Sequence, residues 1–151
     1  MNFLLNNLIN LPKVSVRNVV QESTETFLIL SHEEEGANCP HCGHRTEELN
    51  QTKIRIVRDL PISGQIIYLR LPKRQFYCKP CQRYFTEEVD FVKLGRRFTR
   101  RYETYIHERV IASSVEQVAR EEDLSWDQVN GIHQHQYESQ KKLETGKAVG
   151  D

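Results

Sequence analysis

Two pairs of cysteines constrain the fold of this chain more than any other feature. Cys39-Pro-His-Cys42 and Cys78-Lys-Pro-Cys81 each have the C-x-x-C spacing, and 35 residues separate the two pairs. One such turn presents two thiolates to an ion, and two turns together fill the tetrahedral shell of a structural zinc. We therefore predict that Cys39, Cys42, Cys78 and Cys81 bind one structural zinc ion.

Other uses of these cysteines fit the sequence less well. A thioredoxin-like redox pair needs one C-x-x-C in a βαβ unit, whereas two pairs lie here in β-rich sequence. Disulfides need an oxidising compartment, and the first segment, MNFLLNNLINLP, has no basic leader and no small-residue cleavage site. His41 and His44 can in principle replace a thiolate, but we expect them to face solvent or to support the ligands.

The hydrophobic pattern changes from strand-like to helical along the chain. The runs VSVRNVV, TFLIL, KIRIVRDL and QIIYLRLP are β-branched or apolar, and the segments ESTE and ISG supply turns between them. After Glu88, apolar residues recur at helical spacing. Thr99, then Ser113 or Ser114, then Ser125 are placed to cap three successive helices.

These patterns predict an α+β fold class. We expect a β-rich zinc-ribbon domain over residues 1–90, a three-helix helix-turn-helix domain over residues 91–137 and a polar C-terminal tail over residues 138–151. The longest apolar runs are too short to cross a membrane. We therefore expect a cytoplasmic protein with no membrane partner and no small-molecule substrate.

Residues 115–134 fit the spacing of a helix-turn-helix. The small Ala119 lies where two helices approach closely, and Val129 and Ile132 bury the corner from the third helix. The third helix of such a motif enters the major groove N-terminus first, where Asn and Gln pair with adenine. We expect His133 and His135 to face solvent. The predicted DNA contacts of this helix are Ser125, Trp126, Asp127, Gln128, Asn130 and Gln134.

The formal net charge of zero hides a segregated charge pattern. Residues 1–50 sum to −4, residues 51–112 to +8 and residues 113–151 to −4. A basic middle segment indicates an anionic partner, and its side chains suit DNA phosphates, which position a protein without being read as sequence. The predicted phosphate contacts are Lys73, Arg74, Arg96, Arg97, Arg100 and Arg101.

The order of the motifs resembles the N-terminal region of the ISL-three family of bacterial insertion-sequence transposases. The resemblance rests on CPHCGHRT, IRIVRDLPISG and LRLPKRQFYCKPCQRYFTEE, followed by RRFTRRYETYIHE and VEQVAREEDLSWDQVNGI, and it covers roughly residues 14–137. It implies a zinc-binding domain and a helix-turn-helix that recognise the terminal inverted repeats of the element. It also implies a later RNase-H-like domain with an acidic triad, which would begin about where this sequence ends, at Asp151. We therefore carry over no catalytic residue and expect a DNA-binding fragment, an excised domain or a free-standing relative rather than an enzyme.

We therefore expect a zinc-containing module of a transposase that binds double-stranded DNA and associates with the nucleoid when bound. Because an insertion element has two ends, a homodimer is a further expected partner arrangement. Two alternatives stay open at this point. The acidic ends and zero net charge also fit a zinc-ribbon adaptor that binds a protein, and the same motifs fit a free-standing DNA-binding regulator. A steep loss of DNA affinity with rising salt distinguishes DNA binding from the adaptor.

Overall fold

The computed structural model describes residues 3–150, apart from the side chains at 3 and at 146–150, and it divides the chain into two compact units. Residues up to Thr99 form the first, called the sheet unit below. Residues from Arg100 onward form the second, called the helical unit. A sheet followed by helices is the mixed α+β architecture that the sequence predicts.

The sheet unit contains one helix and seven strands within its described residues. These are α1 (Phe3–Ile9), β1 (Val14–Glu22), β2 (Glu25–His32), β3 (Ala37–Asn38), β4 (Arg45–Thr46), β5 (Leu49–Ile62), β6 (Gln65–Cys78) and β7 (Arg83–Thr86). The main sheet has the order β1-β2-β6-β5, and β7 pairs with β6. β2 and β6 are parallel, whereas the other pairs are antiparallel. β3 and β4 form a separate two-stranded ribbon.

One face of the main sheet forms the core of the sheet unit. Alternate residues of a strand point to opposite faces, and this alternation turns Leu28, Leu30 and Leu69 to the buried side. Ile9 of α1 and Phe91 pack in the same cluster. The burial of Ile9 gives residues 3–9 a reason to fold as a helix, which the sequence analysis does not assign.

The β5–β6 hairpin is the longest element of the sheet unit, with 14 residues in each strand. Ser63 and Gly64 both have positive φ, 50° and 75°, as a two-residue hairpin turn with the twist of the strands requires. β2 pairs with β6 at 66–70 and β7 pairs with it from Gln75 onward. Within the described sheet, residues 71–74 of β6 therefore pair with β5 alone.

The helical unit contains three helices within its described residues: α2 (Arg100–Ala112), α3 (Val115–Glu122) and α4 (Trp126–Gly150). The Ser114 hydroxyl accepts a hydrogen bond from the Gln117 N–H at 3.1 Å and caps α3. Asp123, in the left-handed region at φ 54°, ends this helix. The apolar core of the unit consists of Tyr102, Ile106, Val110, Val118, Ala119, Val129 and Ile132.

Two boundaries differ from the sequence-based expectation. The division between the units lies after Thr99 because residues 97–99 run beside β5. The Arg58 N–H donates to the Arg97 carbonyl and the Thr99 N–H donates to the Arg58 carbonyl, both at 2.9 Å. The stretch expected as a polar tail continues α4 as far as Gly150. Across residues 3–150, none of the helices has the length and hydropathy needed to span a membrane.

Candidate metal centre and nucleic-acid interface

Two tight loops present the four cysteines. The first pair lies between β3 and β4; in the second pair, Cys78 is the last residue of β6 and Cys81 lies in the turn before β7. In the first loop, the Gly43 N–H donates to the Cys39 carbonyl at 2.8 Å; in the second, the Gln82 N–H donates to the Lys79 carbonyl at 3.2 Å. Gly43 and Gln82 have positive φ, so each loop turns back sharply after its second cysteine.

The four sulfur atoms converge on one point. All of them lie within 4.8 Å of one another. Cys42 Sγ is 3.5 Å from Cys78 Sγ, and Cys39 Sγ is 3.9 Å from Cys81 Sγ. Four sulfurs bound tetrahedrally to zinc at about 2.3 Å lie about 3.8 Å apart. The residues present therefore fit a structural zinc ion whose four positions are filled by protein.

The thiols differ in acidity because they surround one small volume. Burial raises the pKa of Cys39, but backbone hydrogen bonds from Cys42 and His41 and the neighbouring thiols outweigh this effect and lower it to about 7. Burial raises the pKa of Cys78. The hydrogen bond with Cys42, followed by burial, raises the pKa of Cys81. Four adjacent thiolates need a compensating cation, and a bound zinc ion would supply that charge and crosslink the two loops.

Aromatic packing joins the two cysteine loops on their inner side. Phe76 of β6 and Phe85 of β7 stack with ring centroids 5.9 Å apart. Both are buried in one cluster with Cys39 and Cys78. The cluster is small, so the metal would provide much of the energy that holds this end of the sheet unit together.

A buried carboxylate joins α2 to α3 in the helical unit. Glu122 accepts hydrogen bonds from the Tyr102 hydroxyl at 2.8 Å, from the Tyr105 hydroxyl at 3.4 Å and from the Arg109 guanidinium at 2.9 Å. Its side chain is 8 % exposed. Arg109 also pairs with Glu121, which lies nearer to solvent. These contacts fix α3, and α3 packs directly on α4.

α4 presents a polar face opposite to its buried residues. Val129 and Ile132 are buried, and an α-helix turns about 100° per residue. Asp127, Asn130 and Gln134, three and four residues apart, therefore lie in one row on the other side of the helix. Asp127 and Gln134 are exposed and Asn130 is half-buried. This row is the surface that a helix in the major groove would turn toward the bases.

The remaining predicted contacts of α4 lie at its N-terminus. The Ser125 hydroxyl accepts from the Gln128 N–H at 3.1 Å, and Gln128 Oε1 accepts from the Ser125 N–H at 2.9 Å. This reciprocal capping box starts α4. Trp126, the first residue of the helix, is 50 % exposed. Its indole therefore lies outside the core and is accessible to a partner.

The histidines of α4 do not both face solvent as the sequence suggests. His133 is half-buried and stacks on His107 of α2, with ring centroids 4.8 Å apart and Nδ1 atoms 2.9 Å apart. Burial, followed by the charge of His107, lowers the pKa of His133. His135 Nδ1 is 3.6 Å from the buried Glu103 carboxylate. Helical spacing alone does not reveal that α2 places polar residues opposite this part of α4.

Arg74 has partners within the sheet unit rather than the free guanidinium that a phosphate contact requires. It forms a bidentate pair with the Glu87 carboxylate and donates to the Glu34 carbonyl at 2.9 Å. Its side chain is 13 % exposed and lies over the Phe76 ring. Its charge is compensated inside the sheet unit, which argues against a phosphate contact by Arg74.

The other predicted phosphate contacts fall into two groups. In the sheet unit, Lys73 and Arg97 are exposed and Arg96 is half-buried. In the helical unit, Arg100 is exposed and Arg101 is half-buried at the start of α2. These five basic residues stay predicted contacts.

The strand register places one more lysine, Lys53, beside the predicted phosphate contacts. Lys53 of β5 lies directly opposite Lys73 of β6. The two residues are 20 positions apart in the chain, and only the pairing register of the hairpin brings them together. The turn ISG sets the pair Ile62 and Gln65, but an irregularity between Asp59 and Ile62 then shifts the register by one residue. Counting from the turn alone would therefore place Lys53 opposite Arg74 instead of Lys73.

Two family models match the chain. The zinc-finger of transposase IS204/IS1001/IS1096/IS1165 matches residues 35–81, which include both cysteine pairs. The helix-turn-helix domain of transposase family ISL3 matches residues 87–137, which include α2, α3 and the first part of α4. This chain carries the N-terminal zinc-finger and helix-turn-helix regions of an ISL3-family transposase. Its zinc ribbon and its helix-turn-helix are both domains of that family, as the resemblance predicts.

The ISL3-family chain is also similar to a curated protein, the transposase for insertion sequence element IS1001 from Bordetella parapertussis. The two are 32 % identical over 94 residues, which is 62 % of this chain and 23 % of the relative. The chain thus spans about a quarter of the length of that relative. No solved structure matches the chain. The two matched domains are domains of transposases, and the helix-turn-helix is a DNA-binding motif.

Proposed function

We propose that this chain recognises the terminal inverted repeats of an insertion element in double-stranded DNA. The observation that carries the proposal is the row of Asp127, Asn130 and Gln134 on the outward face of α4. These side chains point away from the buried Val129 and Ile132, and α4 is the third helix of a helix-turn-helix. In this motif the third helix lies in the major groove with its N-terminal residues against base edges.

Each residue of the row has a matching base chemistry. Asn130 and Gln134 each carry an amide that pairs with adenine through two hydrogen bonds. Asp127 accepts a hydrogen bond from the amino group of cytosine. Trp126 lies beside the row and offers an apolar surface to the groove, while Ser125 and Gln128 hold the first turn of the helix at the DNA.

The rest of the chain positions this helix. Zinc bound by the four cysteines stabilises the ribbon, and no reaction step is assigned to it because its ligand shell is full. Exposed and half-buried basic residues contact phosphates and set the register of the protein on the duplex. These residues have a binding role rather than a catalytic one. The basic residues assigned to phosphate contacts are Lys73, Arg96, Arg97, Arg100 and Arg101.

A binding titration tests the proposal. The zinc-loaded chain is titrated with a duplex carrying an inverted-repeat end and with a scrambled duplex of equal length. Asn130→Ala should weaken binding to the end by about 1–3 kcal/mol and hardly affect the scrambled duplex. Arg100→Ala should weaken binding to both duplexes equally. Equal losses on the two duplexes for Asn130→Ala would contradict the placement of α4, and an absence of DNA binding at low salt would favour the protein-binding adaptor.

We further propose that two copies bind one pair of element ends as a homodimer. An insertion element has two ends, and a dimer matches paired sites with its own symmetry. Sedimentation of the free chain and of the complex with a duplex end gives the number of copies in each. One copy per duplex at saturation, with no association between complexes, contradicts the dimer but leaves end recognition intact.

A further inference from the structure

Two lysines face each other on the β5–β6 hairpin. Lys53 and Lys73 are direct cross-strand partners, which places their Cβ atoms about 4.5–5.5 Å apart on one face of the sheet. Both side chains are exposed. Within residues 3–150, neither lysine forms a salt bridge. Two like charges in this arrangement destabilise the folded hairpin, so the fold itself does not explain them.

The face that carries this pair is the continuation of the core face. Residues 53, 55 and 57 of β5 share one side of the strand, and Val57 is buried in the core. Lys73 and Leu69 likewise lie on one side of β6, and Leu69 is buried in the core. The face therefore changes along the hairpin from an apolar surface, covered by Phe91, to a solvent-exposed cationic surface.

A loop of the sheet unit extends this cationic surface. The Arg55 guanidinium donates to the carbonyls of Lys93, at 3.2 Å, and of Arg96. The Arg58 N–H holds the Arg97 carbonyl at 2.9 Å. The loop therefore runs along the free edge of β5. It adds Lys93 and Arg97, both exposed and both without a salt bridge among the described residues.

Protection of a free sheet edge is the competing explanation for the lysines. Proteins place lysines on edge strands to prevent pairing with other chains, and β5 is an edge strand. Lys73 lies where β6 also pairs with β5 alone, so one lysine at this level of the hairpin is enough for edge protection. A second lysine directly opposite the first adds repulsion that edge protection does not require. An anion bound between the two lysines explains both, because it removes their repulsion.

We infer that Lys53 and Lys73, together with Lys93 and Arg97, form a phosphate-binding surface of the sheet unit that contacts the DNA backbone independently of α4. The inference rests on the proposed function, which supplies duplex DNA as the anion. The surface is an open strand ribbon with a loop beside it, and cations spread over such a ribbon match a regularly spaced row of phosphates. It gives the zinc-ribbon unit a direct part in DNA affinity.

The salt dependence of DNA binding by the full, zinc-loaded chain tests this surface. The slope of log affinity against log salt is negative, and each lost phosphate contact makes it shallower by about 0.9. Lys53→Gln/Lys73→Gln should therefore make the slope shallower by about 2 between about 50 and 200 mM salt, equally on end and scrambled duplexes. The matched control is Lys13→Gln/Arg17→Gln, which removes the same charge just before β1 and within it, at the opposite edge of the sheet. The control should keep the wild-type slope.

Thermal melting of the free protein separates binding from folding. Lys53→Gln/Lys73→Gln should melt at or above the wild-type temperature, since it removes a like-charge pair. Lys53→Arg/Lys73→Arg, which keeps both charges, should retain the wild-type slope. Wild-type DNA binding with an unchanged slope in the glutamine variant overturns this inference and the phosphate contact assigned to Lys73, but it leaves base recognition by α4 in place. An absence of wild-type binding at about 50 mM salt overturns the proposed function as well.

Discussion

Both units of this chain have a core that is small for their surface, and they differ in what stabilises it. At its cysteine end the sheet unit gathers groups that need a cation from outside, since four thiols surround one point. The helical unit buries the carboxylates of Glu103 and Glu122 and supplies Arg109 for one of them from its own sequence. We therefore expect the stability of the first unit to depend on bound metal, and that of the second to depend on an internal polar network and on pH.

Removal of one zinc ligand should have the largest effect. Cys78→Ser leaves three thiolates for the ion, and structural zinc contributes about 10 kcal/mol or more to the folding of small zinc modules. We expect loss of bound zinc and loss of β-structure at this end of the sheet unit, measured by metal analysis and far-ultraviolet circular dichroism. The single tryptophan, Trp126, lies in the helical unit, and its fluorescence should show that this unit stays folded.

A neighbouring histidine provides the control for the zinc ligand. His41 is exposed between the first two cysteines, and His41→Ala should retain one zinc per chain. If Cys78→Ser also retains one equivalent of zinc with an intact ribbon, a histidine replaces the thiolate and the four-cysteine assignment is wrong. If zinc loss unfolds both units, the contrast between a metal-dependent and a metal-independent unit is wrong.

Removal of the buried carboxylate in the helical unit should have the next largest effect. Glu122→Ala leaves Arg109 and the Tyr102 hydroxyl without their shared acceptor, and breaking a partly buried ion pair from one side costs about 2–4 kcal/mol. The matched control is Glu121→Ala, because Glu121 pairs with the same Arg109 nearer to solvent. An exposed pair contributes about 1 kcal/mol or less.

Chemical unfolding followed by Trp126 fluorescence measures both variants. The expected order is a large loss of unfolding free energy for Glu122→Ala and a small one for Glu121→Ala. Equal losses would show that charge balance near Arg109, rather than burial of Glu122, stabilises the junction between α2 and α3. The zinc content of the sheet unit should stay at the wild-type value in both variants.

The sequence predicts those parts of each unit that depend on local spacing. The cysteine pairs indicate the zinc ligands because a C-x-x-C turn works at any place in a fold. Ser114 and Ser125 indicate helix starts because a cap acts within three residues, and the structure has both caps. The ISL3-family domains follow from the order of the same local motifs.

The sequence does not predict those parts that depend on long-range partners. The sequence indicates that Arg74 is one more cation in a basic segment, yet the fold pairs its guanidinium with the Glu87 carboxylate. The sequence indicates that His133 is a surface residue, yet α2 places His107 against it. The cross-strand position of Lys53 follows from hairpin register. In each case the deciding neighbour comes from another element, so no local spacing identifies it.

Acidification should have a smaller effect on the stability of the helical unit, which the fluorescence of Trp126 reports. Burial and the nearby His107 lower the pKa of His133, whereas an unfolded histidine titrates near pH 6.5. Between these two values the unfolded chain binds more protons than the folded one, so stability rises with pH. The helical unit should be fully stable above about pH 6.5 and lose stability as the pH falls below it.

Thermal melting at several pH values, read by Trp126 fluorescence, measures this loss. His133→Gln should flatten the dependence because it removes the group with the lowered pKa. His135 contacts the Glu103 carboxylate rather than a histidine, so His135→Gln separates the contribution of that pair from the contribution of His133. An unchanged slope in His133→Gln would show that another group in the α2–α4 contact carries the pH effect.

The substitution Gly131→Ala should have the smallest effect on stability, and it also bears on DNA binding by α4. Gly131 lies within α4 between Asn130 and Gln134 on the exposed side, and an added Cβ would meet nothing within 4 Å. Alanine is favoured over glycine inside a helix, so Gly131→Ala should stabilise the helical unit by about 0.5 kcal/mol. If α4 lies in the major groove, the added methyl group should at the same time weaken DNA binding. Lys53 and Lys73 show the same opposition between folding and binding on the sheet unit, so a gain in both stability and affinity at Gly131 would place the DNA-facing side of α4 elsewhere.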